Sequence, residues 1–207
     1  SDWNREIESL VPMLNAEVPN YRGLYVVQGI WHEQVGNKKF GAYHDAANNR
    51  VVVYDANGYG APKFWDYWWG GNLLGLKDYP LNIPSNLADR IAYTIHFYGP
   101  AVWPLWYYND PSTIKDGLGV YSNPSQLDQV LDLQHSFIEK ITGRALIIGE
   151  WGGRNGTITR TSGDNTPLVT YDDSIIVRRV ATWFPRNCMA DAMWWAINPE
   201  SGDTGGL

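Results

Sequence analysis

The chain has 207 residues, 44% hydrophobic and 18% charged, which is the composition of an ordinary globular protein and not of a disordered, fibrous or collagen-like one. Its 22 acidic and 16 basic residues give a net charge of −6, so polyanionic partners such as nucleic acid or an acidic membrane surface are repelled on average. The single cysteine, Cys188, excludes an internal disulfide and any cysteine-based metal cluster, and its expected state is a buried thiol.

In chain order, Ile7, Leu10, Val11 and Leu14 keep the i, i+3, i+4, i+7 spacing of an amphipathic helix that Pro19 must end. The apolar stretch from Gly23 to Gly29 then predicts a buried strand. A second strand is expected from Arg90 to Tyr98. Asn123 and Pro124 supply a cap and a first-turn proline for a helix whose apolar face is Leu127, Val130, Leu131, Phe137, Ile138 and Ile141, with Gly143 as its stop. A short strand from Ala145 to Gly149, a loop rich in Gly, Asn and Thr, a helix from about Asp172 to Phe184 and a last strand from Ala192 to Ile197 complete the pattern. Strands alternating with helices imply an α/β fold with parallel strands and crossover helices, read here as one domain over residues 1–207. No apolar run reaches the roughly 20 residues that span a bilayer, and Ser1 to Arg5 has neither the basic flank nor the apolar stretch of a signal peptide, so no membrane is expected as a partner.

Polar residues gather just past the C-terminal ends of the four expected strands: Gln28, then His96 and Tyr98, then Glu150, then Trp195 and Asn198. In α/β sheets and barrels that rim is where active sites are built, so the four tips are expected to converge. The chain also carries 11 Trp and 13 Tyr. Many fall in loop-like stretches, including Trp65-Asp66-Tyr67-Trp68-Trp69-Gly70-Gly71-Asn72 and Trp103-Pro104-Leu105-Trp106-Tyr107-Tyr108-Asn109-Asp110-Pro111. Flat apolar rings beside hydrogen-bonding groups suit sugars. The alternative for any one ring is a place in a satellite core under a loop.

Four stretches carry a family resemblance: Trp68-Trp69-Gly70-Gly71-Asn72-Leu73, His96-Phe97-Tyr98-Gly99-Pro100, Ile148-Gly149-Glu150-Trp151-Gly152-Gly153 and Asn198-Pro199-Glu200-Ser201-Gly202-Asp203-Thr204-Gly205-Gly206. Taken in this order, the chain resembles glycoside hydrolase family 5, in particular its bacterial-type endoglucanases. The resemblance implies the C-terminal half, strands five to eight, of a (β/α)8 TIM barrel, with Glu150 as the nucleophile at the end of strand seven. It makes His96 and Tyr98 the strand-six pair, with the tyrosine hydroxyl against the nucleophile, and Trp195 the floor of the sugar subsite. Trp68, Trp69, Trp31 and Asn198 are further candidates for substrate contact. Gln28 departs from the acidic residue common in relatives, and Ile197 stands where many relatives have tryptophan.

The family's acid/base glutamate belongs to an Asn-Glu-Pro motif on strand four, and no such motif occurs here. Glu33 and Asp203 are better read as loop structure than as its substitutes. The expected activity is that of a retaining endo-β-1,4-glucanase acting on β-glucan polysaccharide, completed by a complementing N-terminal half-barrel polypeptide and needing no cofactor or metal. A secreted, extracellular location follows from a polymeric substrate. The competing reading is a non-catalytic carbohydrate-binding barrel remnant that keeps its aromatic platforms.

Overall fold

The computed structural model describes residues 2–30, 33–35, 38–45, 50–54, 68–77, 79–99, 101–102, 127–128, 131–132, 135–154, 157–161, 167–187, 191–202 and 204–205. The leading helix α1 (Asp2–Glu17) runs into strand β1 (Tyr25–Gln28). An antiparallel meander follows, β2 (Glu33–Val35), β3 (Lys38–Asp45) and β4 (Arg50–Tyr54). After a 3-10 turn (Leu74–Lys77) and the short helix α2 (Ser85–Ala88) come β5 (Ile91–Tyr98), α3 (Phe137–Thr142) and β6 (Leu146–Gly152). A hairpin of β7 (Thr157–Thr161) and β8 (Pro167–Asp172) leads into α4 (Asp173–Arg186) and the last strand β9 (Asp191–Trp194).

The expected four-stranded parallel sheet is present, in the order β1-β5-β6-β9. Neither the meander nor the β7–β8 hairpin is among the expected elements, and the hairpin occupies the stretch read from sequence as a loop. Asn123 and Pro124 lie outside the described residues, but the helix they were expected to open is seen at residues 127–128, 131–132 and 135. It restarts after Ser136 as α3 and stops at Gly143, which takes the left-handed conformation (φ 65°) that a residue without Cβ adopts at no steric cost.

Side chains along a strand alternate between faces, and paired residues of neighbouring strands share one. One face of the sheet carries Tyr25 and Val27, then Ile91, Tyr93, Ile95 and Phe97, then Leu146 and Ile148, all buried. Against it pack Leu127, Leu131 and Ile138, and from α4 Ile176, Val180 and Trp183, each almost wholly enclosed. Burying a large apolar side chain contributes about 1.5–3 kcal/mol, so this face holds the sheet together. Polar anchors fix the angle of approach: Arg179 donates two bonds to the Asp128 carboxylate at 2.7 and 2.6 Å, and Trp183 Nε1 donates to Asp132 Oδ1 at 2.7 Å. Burial pushes the Tyr93 hydroxyl up to about 12, against the opposing pull of Arg144, so it stays neutral across the working pH range.

The opposite face is unevenly covered. Ala92 and Thr94 of central β5 are buried, whereas Val26 on β1 and Met193 on β9 are 53% and 56% exposed. Leu10 and Leu14 of α1, expected on the helix's buried face, are also exposed, and so is Ile141 of α3, although Val11 is enclosed as expected. Among the described residues no helix is long and apolar enough to cross a membrane.

Candidate active site

The site is assembled where β5 and β6 end. Their pairing runs in step up to Ile95 opposite Ile148, then slips so that His96 stands opposite Glu150, leaving Gly149 as an extra residue in β6. A bulge of this kind reverses the alternation of every residue beyond it. In an unbroken strand Glu150 would share the helix-covered face with Ile148; the extra residue turns it to the face that carries Thr94, His96 and Tyr98. Glycine is needed at the bulge because a Cβ there would lie 2.5 Å from Thr94 Oγ1.

The turned carboxylate meets both expected partners. Tyr98 Oη donates a 2.6 Å hydrogen bond to Glu150 Oε2, and His96 Nδ1 lies 3.3 Å from the same oxygen. The short distance to Tyr98 is that of a charge-assisted bond, about twice as strong as a neutral one. The His96 side chain is 13% exposed, and burial, partly offset by the Glu150 charge, lowers its pKa below the ordinary imidazole value. At neutral pH it is therefore an uncharged imidazole beside the carboxylate.

The aromatic candidates divide. Trp68 is buried and stands edge-on to Tyr98, ring centroids 5.2 Å apart, so it supports the tyrosine in the manner of a satellite core. Trp69 is 68% exposed at the turn ending in Gly70 (φ 73°). The Gln28 side chain packs where a Cβ on Gly70 would sit, so it belongs to the underside of this turn. Trp195 directly follows β9, its amide held by Trp151 O at 2.8 Å, and its side chain is 43% exposed; the Trp195–Ala196 peptide is cis. Its neighbour Trp194 takes the other face and packs edge-on against Trp151.

Asn198 is exposed and uses its side chain to accept the Glu200 amide at 3.0 Å, which shapes the loop after Trp195. Trp31, Cys188, Asp203 and the Trp103–Pro111 stretch lie outside the described residues, and for Glu33 only the backbone is described. Among the described residues no group of three or more His, Cys, Asp or Glu is placed to hold a metal ion.

Three anchoring residues have roles that the sequence does not signal. Thr204 is buried and its hydroxyl accepts the Ala196 amide at 3.2 Å, fixing the loop against Trp195. Arg154 Nη2 donates to Gly202 O at 2.5 Å. Asp173, the first residue of α4, is fully buried. Side-chain to backbone bonds across such distances in sequence leave no periodic trace.

The profile of the family described as Cellulase (glycosyl hydrolase family 5) matches residues 36–201. The chain belongs to glycoside hydrolase family 5. It is 32% identical over 189 residues to Endoglucanase G of Acetivibrio thermocellus, a match covering 91% of this chain and 28% of that protein. It is 27% identical over 207 residues to the major extracellular endoglucanase of Xanthomonas campestris, covering 100% of this chain and 32% of the other. The endocellulase from Pyrococcus horikoshii, in a complex with cellotetraose, superposes with a TM-score of 0.64 at 26% identity over 99% of this chain and 43% of its own. This family 5 chain thus spans 28% and 32% of those two relatives' lengths. Its four-stranded parallel sheet with helices on one face is part of a TIM barrel, as the resemblance implied.

Proposed function

We propose that this chain supplies the nucleophile half of a retaining endo-β-1,4-glucanase site. The observation that carries the reading is the convergence of Tyr98 Oη and His96 Nδ1 on one oxygen of Glu150, at the C-terminal edge of a parallel sheet. Both contacts fall on Oε2, and among the described residues no hydrogen bond falls on Oε1. Oε1 is then the oxygen that attacks the anomeric carbon, while the phenol holds the carboxylate in place. The exposed ring of Trp195 is the sugar-stacking floor beside it.

Retention needs a second carboxyl group about 5–5.5 Å from the first, to protonate the departing oxygen and later activate water. We assign it to a complementing N-terminal segment that supplies the other strands of the barrel. Two features support such a segment. Among the described residues strands β1 and β9 are the outer strands of the sheet, each with one unpaired side, and the apolar Val26 and Met193 are exposed on the face that an intact barrel would enclose. β-Glucan as substrate follows the endoglucanase relatives, and secretion follows from the polymeric substrate and the extracellular Xanthomonas relative.

The test is covalent trapping. The chain, assembled with its N-terminal complement, is treated with a fluorinated glycosyl inhibitor and its peptides are mapped by mass. Label on Glu150 with release of reducing ends from carboxymethylcellulose is the expected result. Label on another residue overturns the assignment. Sugar binding with neither label nor turnover establishes the carbohydrate-binding remnant instead.

A further inference from the structure

The distance between Tyr98 and Glu150 depends on how the exits of β5 and β6 are held, and one side chain from outside the sheet holds both. Asp173 opens α4 and is fully buried. Its Oδ1 accepts the Ala101 amide at 2.9 Å, three residues past Tyr98, and its Oδ2 accepts the Arg154 amide at 2.8 Å, four residues past Glu150.

The two exits are shaped to receive this carboxylate. A Cβ on Gly99 would lie 2.6 Å from both of its oxygens, and one on Gly153 would lie 2.7 Å from the Asp173 Cβ and 3.0 Å from Oδ2. Both glycines therefore open the space the carboxylate fills, and the exits also bond directly, Gly99 N to Gly152 O at 2.9 Å. A buried carboxylate is costly unless hydrogen-bonded, and backbone N–H donors together with the positive end of α4 meet that need. The clamp reaches a third strand tip. Arg154, whose amide Asp173 holds, donates its guanidinium to Gly202 O at 2.5 Å, in the loop that Thr204 fastens to Ala196.

We propose that Asp173 is the positioning residue of the site: by gripping the chain just beyond Tyr98 and just beyond Glu150 it sets their separation, and through Arg154 it fixes the loop that carries Trp195. The inference rests on the nucleophile reading of Glu150. Asp173→Asn keeps the shape but turns an amide NH2 toward one of the two backbone N–H groups, so one grip is lost.

A displacement of about 1 Å at reacting groups costs on the order of 100-fold in rate. In the assembled enzyme, kcat of Asp173→Asn should fall about 10- to 100-fold with KM within about twofold, and the fluorosugar labelling rate should fall in parallel. Arg179→Met, which loosens α4 from Asp128 away from the site, is the stability control and should leave kcat unchanged well below its melting temperature. The non-catalytic readout is the imidazole titration of His96, followed by NMR in the 207-residue chain: moving Glu150 relative to His96 should shift it in Asp173→Asn and not in Arg179→Met.

A kcat within twofold of wild type, with an unmoved His96 titration, overturns the proposal. Absence of label on Glu150 in the wild-type enzyme instead overturns the nucleophile reading, so the two failures are distinct. Should Asp173→Asn not fold, Gly153→Ala displaces the carboxylate without removing it and is judged by the same two outcomes.

Discussion

Gly149 and Thr94 face each other across adjacent parallel strands so closely that a Cβ on the glycine would stand 2.5 Å from the threonine hydroxyl oxygen. The contact marks the bulge that turns Glu150 out of the helix-covered face and toward Tyr98. Three quantities follow from it: strain when the glycine is filled, relief when the threonine is cut back, and loss of function when the carboxylate is turned away.

Gly149→Ala should destabilise the chain by about 1–3 kcal/mol, the usual cost of overpacking a tight site. Thr94→Ala removes the opposing hydroxyl, which is buried and unpartnered among the described residues. The double variant should recover part of the loss, with a coupling of about 1 kcal/mol in a double-mutant cycle by urea denaturation. Simple additivity of the two changes would show that the bulge does not depend on this contact.

Removing the Glu150 charge is the most severe change expected. Glu150→Gln retains an oxygen for the Tyr98 hydroxyl but has no carboxylate to attack with, so turnover of carboxymethylcellulose by the assembled enzyme should fall by at least about 1,000-fold. Affinity for cello-oligosaccharides, measured calorimetrically, should stay within about threefold.

Tyr98→Phe deletes one hydroxyl and one hydrogen bond. A bond to a charged acceptor contributes about 1.5–3 kcal/mol, so kcat/KM should drop about 10- to 100-fold while Trp68 still packs on the ring. An unchanged kcat/KM would remove the tyrosine from the machinery.

His96 makes stability depend on pH. Its pKa is lowered on folding, chiefly by burial, so the unfolded chain takes up a proton near pH 6.5 while the folded chain does not. The stability His96 contributes is therefore complete above about pH 6.5 and is lost as pH falls from there through its lowered folded value, at up to about 1.4 kcal/mol per pH unit. The melting temperature of the wild-type chain should drop more between pH 7 and pH 5.5 than that of His96→Asn, and parallel curves would contradict this.

The parts of the site most open to sequence reading are those fixed within one strand. His96 and Tyr98 are two apart in a strand-like run, so they must share a face, and Glu150 follows a short apolar strand. What could not be read is how the two strands are phased, because Gly149 looks like any glycine beside a catalytic-type residue until its pairing is seen. The β7–β8 hairpin was hidden for a related reason: the Gly, Asn and Thr of residues 152–166 signal turns, and β7 within that stretch and β8 just after it are too short and mixed to outweigh them. Periodicity correctly marked Val11, Leu127, Leu131 and Ile138 as core but also marked Leu10, Leu14 and Ile141, which are exposed. A repeat of apolar residues says that a face is greasy and not what covers it. The sequence marks Asp173 only as a residue near a helix start, since its partners lie 72 and 19 positions away.

Strand order also bears on how long the site survives when the molecule loosens. Strands β5 and β6, which carry the tyrosine and the glutamate, are the inner pair, and each has a neighbour on both sides, whereas among the described residues β1 and β9 have one apiece. Backbone amides at the margins should exchange with deuterated solvent first, and those of the inner pair last. Tyr98 and Glu150 are thus mounted on the slowest-opening part of the sheet, and fraying at the margins leaves their hydrogen bond intact.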